Sequence, residues 1–270
     1  MDDDFALPKG ELMRGKRGLV MGVANRDSIA WGISRQIAAQ GGEVGLAYMA
    51  LNEKRVRPLG ESINTGLYVT YDAASDDSME AAFKVVEDQW GGLDFLVHSI
   101  AYADRSQMKG SFVENTTRAG FAQAMDISAY SFVDAARRAS RLMSRGGSMI
   151  AMSYLGSERA IPNYNVMGVA KAELEAATRY IARDLGPEGI RVNAISAGAK
   201  RTLSLAGISG GRGMLAQGRR LSAMKEDTSM EGIAGCALWL LSDLGRSTTG
   251  EVVHVDAGFH MMGLASDEDA

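Results

Sequence analysis

Short apolar runs rich in valine, isoleucine and leucine punctuate the chain, and each is followed by a longer segment whose apolar positions recur every three or four residues. RGLVMGV at 17–23 opens the series, and a helical period runs from about Ser28 to Gln40. EVGLAY, a helix near 52–64, GLYVTYD, a helix near 76–90 and LDFLVHSI follow. Continuous apolar runs predict strands covered on both faces, and the interposed helices predict that those strands are parallel.

The second half continues with a long helical stretch near 117–144, a strand at GSMIAMSY and a helix from about Asn163 to Leu185. IRVNAIS reads as a strand, an irregular glycine-rich segment comes next, and a helix near 230–242 precedes a last strand, EVVHVD. There is no repeat, linker or low-complexity tract. The expectation is an α/β fold: one doubly wound, Rossmann-type domain over residues 1–270, with a parallel sheet of about seven strands. In such sheets ligands bind at the carboxyl ends of the strands.

Composition narrows the function classes. A chain of 270 residues that is 46% hydrophobic can bury a large core. With 33 acidic against 29 basic residues the formal charge is -4, so nothing draws the whole chain to nucleic acid or an anionic membrane. The lone cysteine, Cys236 in IAGCALWLL, excludes an intramolecular disulfide and reads as a small buried side chain in a reducing compartment. The N-terminal MDDDFALPKGELMRGKRG has acids where a secretory signal needs bases, and no run approaches the roughly 18 apolar residues of a membrane span. A cytoplasmic location is expected. His98, His254 and His260 are dispersed without ligand spacing, so no metal site is expected, and His98 inside LVHSI reads as a satisfied buried residue.

Several candidates cluster at strand ends. In GVANRDSIAWG, Gly22 would let the backbone approach a phosphate, with Ser28 and Ile29 offering amides at a helix N-terminus. The spacing is not G-x-G-x-x-G, and a tight turn at Gly22 with Ser28 as N-cap explains it equally. Asp72, at the end of the third strand, suits an adenine amino group or the cap of the next helix; Ser99 and Ile100 end the fourth. In SYLGSERAIPNYNVMGVAK, Tyr164 and Lys171 are seven residues apart. On a helix beginning near Asn163 they would share a face about 10 Å apart along the axis. Tyr154, ending the preceding strand, could point into the same cleft. A core aromatic and a solvated lysine would also fit that spacing.

The stretches GVANRDSIAWG, VHSIA, SYLGSERAIPNYNVMGVAK and RVNAISAG together resemble bacterial enoyl-acyl-carrier-protein reductase, a divergent branch of the short-chain dehydrogenases, from about Gly15 to His260. The wider superfamily has Tyr-x-x-x-Lys; here Met167 holds that position and the tyrosine stands one turn upstream at Tyr164. The resemblance implies NADH-dependent reduction of a trans-2-enoyl thioester on acyl carrier protein, in fatty-acid elongation. Reduction at the β-carbon puts negative charge on the thioester oxygen, farther from the nicotinamide than a ketone carbon, which accounts for a displaced donor. Tyr164 would donate to that enolate, Lys171 would hold the nicotinamide ribose, and Tyr154 would be a second substrate contact.

By the same resemblance Gly22, Ser28 and Ile29 face the pyrophosphate, Asp72 and Ala73 contact adenine, Ser99 and Ile100 wall the cofactor pocket, and Ala103 lines the acyl site. Met49 sits where the adenosine ribose is read and offers no countercharge to a 2′-phosphate, so NADH is expected over NADPH, with Arg55 and Arg57 close by in sequence. A homotetramer is implied as well.

The chain departs from the family after SAG, where Pro-Ile is common and Ala199-Lys200 stands here, before Arg201 and Thr202. This segment, with Lys200 and Thr202, is expected to meet the cofactor and to carry a mobile substrate lid near 199–220. Five glycines between Gly207 and Gly218 favour such a lid. Arg201, Arg212, Arg219, Arg220 and Lys225 would face acyl carrier protein or solvent. The departures leave two alternatives: a different conjugated carbonyl substrate, or a cofactor-binding paralogue with little turnover.

Overall fold

Residues 8–206 and 211–263 are described by the computed structural model of the chain. The seven apolar runs form β1 (Arg17–Met21), β2 (Glu43–Tyr48), β3 (Leu67–Thr70), β4 (Phe95–His98), β5 (Gly147–Ser153), β6 (Ile190–Ala197) and β7 (Val252–Val255). They pair in parallel as one sheet, in the order β3-β2-β1-β4-β5-β6-β7. Each central strand is buried along nearly its whole length, as the continuous apolar runs require.

The helices are α1 (Ile29–Ala39), α2 (Glu53–Ser62), α3 (Asp76–Trp90), α4 (Phe112–Asn115), α5 (Arg118–Met125), α6 (Ser131–Ser140), α7 (Asn165–Leu185), α8 (Leu203–Ala206), α9 (Gly211–Leu221) and α10 (Met230–Leu241). Ile33 and Ile37 of α1 and Ile233 and Leu240 of α10 bury one sheet face. Phe83 of α3, Phe132 of α6 and Leu174 of α7 bury the other. Two separate cores, one on each side, make the sheet doubly wound. Strand order reverses between β1 and β4, whose last paired residues are Met21 and His98, so the crevice of the switch point opens beside Gly22 and Ser99.

The long helix expected near 117–144 is interrupted. Five residues, Asp126–Tyr130, take a π-helical turn between α5 and α6. That turn aims Ser128 at the loop after β4, where its hydroxyl accepts from Tyr102 N at 2.9 Å and donates to Tyr102 O at 3.0 Å. A π-turn inside a helix re-aims side chains at the cost of regular bonding, and here it pins the loop that carries Ala103.

The segment expected to be irregular after β6 contains α8 and α9. Arginine, methionine, leucine, alanine and glutamine in α9 are good helix formers and outweigh Gly211, Gly213 and Gly218. Gly207 and Gly210, two of the glycines on which the lid expectation rests, lie outside the described residues.

Candidate active site

The crevice beyond β1, β4, β5 and β6 is a cavity lined by Gly22, Ser28, Ile29, Ser99 and Ile100 on one side and Tyr154, Tyr164 and Lys171 on another. Ala199, Lys200 and Thr202, with Leu205 of α8 and Met214 of α9, close it from the β6 side. Residues as far apart in sequence as Gly22 and Met214 thus share one space.

Gly22 has φ 97°, and a Cβ there would come within 2.0 Å of the Ser99 carbonyl oxygen. Only glycine allows β1 and β4 to turn out of the sheet together at this point. The Ser28 hydroxyl accepts from the amides of Ala24 and Asn25 at 3.1 and 3.0 Å and donates to Asn25 O, while Ser28 N donates to the same carbonyl. Ser28 therefore ties the turn together, with its own amide bonded to Asn25 O, and lines the cavity; Ile29 opens α1 at the cavity wall.

Tyr164 sits at the very entry of the helix, its carbonyl accepting from Met167 N at 2.9 Å. The helix starts one residue later than it, at Asn165, and Tyr164 is its N-cap. Asn163 and Asn165 both have positive φ, 61° and 37°, a region asparagine tolerates better than most residues. The shared helical face expected for Tyr164 and Lys171 is replaced by a tight entry loop, yet both side chains are buried against the same cavity. Gly156 and Gly168 allow it: a Cβ on Gly156 would strike the Tyr164 ring at 2.3 Å, and one on Gly168 would strike the Gly156 carbonyl at 2.6 Å. Tyr154 meets Tyr164 edge-on, with centroids 4.8 Å apart at 67°.

Burial sets the electrostatics. It pushes the Tyr154 phenol up to about 12, with Asp256 adding to the effect. Burial likewise raises Tyr164 well above the usual phenol range, reinforced by Tyr154 and Glu175. Both rings stay protonated donors at neutral pH. Lys171 donates to Met152 O at 2.6 Å, and burial pulls its ammonium down to about 8 while Glu175 opposes that fall.

The remaining candidates lie off the cavity. Met49 and Asp72 are exposed beyond the ends of β2 and β3, on the same edge of the sheet as the crevice. Asp72 does not cap α3: its carboxylate accepts from Ala74 N at 3.0 Å, and Ser75 is the cap, accepting from Ser78 N. Ala73 is half-buried against the core under α3. Ala103 packs in a small apolar cluster with Tyr164, Met108 and Met167, so it neighbours the reacting end without lining the described cavity.

His98 is buried and half-satisfied. Its Nε2 meets Ser131 Oγ at 2.8 Å, but Nδ1 has no partner among the described residues, and burial beside Lys171 lowers the imidazole to about 3. His254 and His260, distant by sequence pattern, stack at 4.1 Å, each against a carboxylate, Glu158 and Asp256. Cys236 is only half-buried, and burial raises its thiol to about 11. No group of three metal-ligating side chains occurs among the described residues. None of their helices is long and apolar enough to cross a membrane.

Sequence reasoning missed Ser153, which lines the cavity, and Glu175, which accepts a hydrogen bond from its hydroxyl. The available signal was spacing: Glu175 is four residues after Lys171 and so on the same face of α7.

Comparison with known proteins agrees with this geometry. A family model described as enoyl-(acyl carrier protein) reductase matches residues 22–260. An enoyl-[acyl-carrier-protein] reductase [NADH] of Rhizobium meliloti is 48% identical over 259 residues, covering 95% of this chain and 96% of that one. The enoyl-(acyl-carrier-protein) reductase of Anaplasma phagocytophilum, solved in complex with NAD, superposes with a TM-score of 0.92 at 47% identity, over 97% of this chain and 100% of that chain. The Bacillus cereus enoyl-acyl carrier protein reductase, solved with NADP+ and an indole naphthyridinone, gives 0.91 at 43% identity, over 94% and 100%. With the buried Tyr164 and Lys171 pair inside the matched length, this chain belongs to the enoyl-acyl-carrier-protein reductase family.

Proposed function

We propose that this protein reduces the carbon-carbon double bond of a trans-2-enoyl thioester on acyl carrier protein, with NADH as hydride donor, in fatty-acid elongation. One observation carries the reading: two protonated phenols and a buried ammonium converge on the cavity that the Gly22 turn and the start of α1 also line.

The residues fit a dinucleotide. The glycine-only turn at Gly22, packed on the Ser99 carbonyl, brings bare backbone to the cavity wall, and the α1 N-terminus with Lys200 and Lys171 suits a pyrophosphate and a ribose. NADH, when bound, supplies the hydride that reaches the β-carbon. Tyr164 would donate a hydrogen bond to the thioester oxygen, where charge would develop, and Tyr154, packed edge-on against it, would be a second substrate contact. Lys171 holds the ribose and favours the developing anion.

NADH suits the adenosine end better than NADPH. Met49 carries no charge, and the Arg57 guanidinium is already engaged, pairing with Glu53 at 2.6 Å and stacking over Tyr68 at 4.5 Å. Asp72 and Ala73 remain the proposed adenine contacts, and Ala103 the proposed acyl contact. The segment 199–220 is proposed as a substrate lid, since Leu205 and Met214 border the cavity. Arg201, Arg219 and Arg220 are exposed along it, on the side a carrier protein would approach. Exposed Phe121, Tyr130, Val133 and Tyr180 along α5 to α7 support a homotetramer, and a cytoplasmic setting suits a protein with these partners.

The test is loss of NADH absorbance on mixing with a trans-2-enoyl thioester on acyl carrier protein. Rapid oxidation is expected, slower with NADPH and slower with free enones. NADH binding without oxidation by any enoyl thioester would overturn the reading.

A further inference from the structure

Glu175 is a carboxylate with almost no access to water, in the middle of α7. A buried carboxylate needs hydrogen bonds or a countercharge, because leaving water strips it of its hydration. Glu175 has both. Its Oε1 accepts from Ser153 Oγ, and Lys171 stands one turn before it on the same face of the helix.

The neighbouring bonds make this a unit with β5. Met152 O accepts from the Lys171 ammonium at 2.6 Å, Ser153 donates to Glu175, and Tyr154 presses edge-on against Tyr164. Three consecutive residues at the end of one strand are thus each fixed by one member of the catalytic group or by Glu175. Ser153 also lines the cavity, so Glu175 reaches the site through it.

We infer that Glu175 is a positioning residue, whose buried carboxylate locks Ser153 at the end of β5 and sets an anionic neighbour one turn from Lys171 while that lysine serves the cofactor. This assignment rests on the proposed role of Lys171. The other titratable and charged groups around the lysine cannot replace Glu175. His98 on β4 is neutral, Tyr154 and Tyr164 are protonated phenols, and Lys200 after β6 has the same sign as Lys171. Asp256 after β7 acts on Tyr154 and has its own hydrogen bonds to Gly258 N, His260 N and His260 Nδ1. Glu175 alone opposes the desolvation that lowers Lys171.

Glu175→Gln preserves volume and can still accept from Ser153, so it removes charge and little else. The readout is the NADH dissociation constant, by cofactor fluorescence, across about pH 6 to 10. The parent should bind evenly at low pH and lose affinity as Lys171 deprotonates. In Glu175→Gln that alkaline limb should move down by about one pH unit, the lower end of the shift an opposite charge at close range produces. Glu175→Asp, with its charge drawn back, should fall between the two, and it carries the test if Glu175→Gln does not fold. A lower unfolding temperature with the limb unmoved in the folded variant would make Glu175 merely structural and overturn the assignment. Lys171→Ala separates the two readings. If it weakens NADH binding while both Glu175 variants keep the parent limb, only the Glu175 assignment falls; if it binds NADH normally, the ribose role itself fails.

Discussion

The junction of β5 with α7 and the segment after β6 border the same cavity but are built in opposite ways. From Met152 to Glu175 nearly every group facing the cavity is buried and bonded: Lys171 to Met152, Ser153 to Glu175, Tyr154 against Tyr164, Gly168 against Gly156. From Ala199 to Leu221 the chain carries short helices, several exposed arginines and side chains such as Lys200 and Thr202 that are only half-buried. With Tyr164 and Lys171 in their proposed roles, the first region would fix where the chemistry happens, because a donor misplaced by an ångström loses its transition-state bond. The second borders the same cavity through Leu205 and Met214, and it is where the family resemblance predicts a departure, at Ala199-Lys200. Substitutions in the first region should cost turnover steeply, and those in the second should change affinity modestly.

The largest effect expected is for Tyr164→Phe. Removing one donor to a developing oxyanion typically costs about 2.7–4 kcal/mol, so turnover should fall about 10²–10³-fold with NADH affinity nearly unchanged. Steady-state rates with a carrier-bound enoyl thioester, read beside cofactor fluorescence, check both halves; parental turnover would remove Tyr164 from the mechanism. Next comes Lys171→Ala, which deletes a charged hydrogen bond worth about 1.5–3 kcal/mol and should weaken NADH binding about tenfold or more. The pH dependence has a definite sign. Burial lowers Lys171 to about 8, so its cation is intact at and below neutrality and is lost as pH rises through that value. NADH affinity in the parent should therefore decline on the alkaline side, and Lys171→Ala should flatten the decline. An alkaline limb that persists in Lys171→Ala would belong to another group.

The difference between the two regions also explains what could be read from sequence. The seven strands were legible because burial on both faces leaves continuous apolar runs, as in GLVM and FLVH. Tyr164 and Lys171 were legible as a pair through the displaced tyrosine, but their geometry was not. The positive φ of Asn163 and Asn165 puts Tyr164 at the entry of the helix, and no spacing rule encodes that turn. The π-turn at Asp126–Tyr130 was hidden because residues on either side keep a helical pattern, and only the Ser128 bonds to Tyr102 distinguish it. After β6, five glycines suggested irregular chain, whereas α9 forms around three of them because its other residues favour helix. Glu175 carries no mark of burial in the sequence, since a glutamate in a helical pattern is normally exposed and only the packing of α7 on β5 buries this one.

The smallest effect, and the sharpest probe of the second region, is Lys200→Ile, which replaces the ammonium with an apolar side chain. Lys200 lines the cavity from the β6 side, half-buried, so water and salt screen its charge more than that of Lys171. If its ammonium supports the cofactor pyrophosphate, the loss should be of the size of a partly exposed ion pair, about 0.2–1 kcal/mol, or an NADH constant weaker by about 1.4- to fivefold. The deficit should shrink as salt rises, since screening removes from the parent what the substitution removes from the variant. Turnover at saturating NADH should stay within about twofold, because Lys171 is bonded to β5, Tyr164 packs on Tyr154, and this segment meets the Tyr164 cluster through Met214. Unchanged or tighter NADH binding at low salt would exclude the phosphate contact. A collapse in saturated turnover would instead show that position 200 shapes the reacting end, and the division of labour between the two regions would fail.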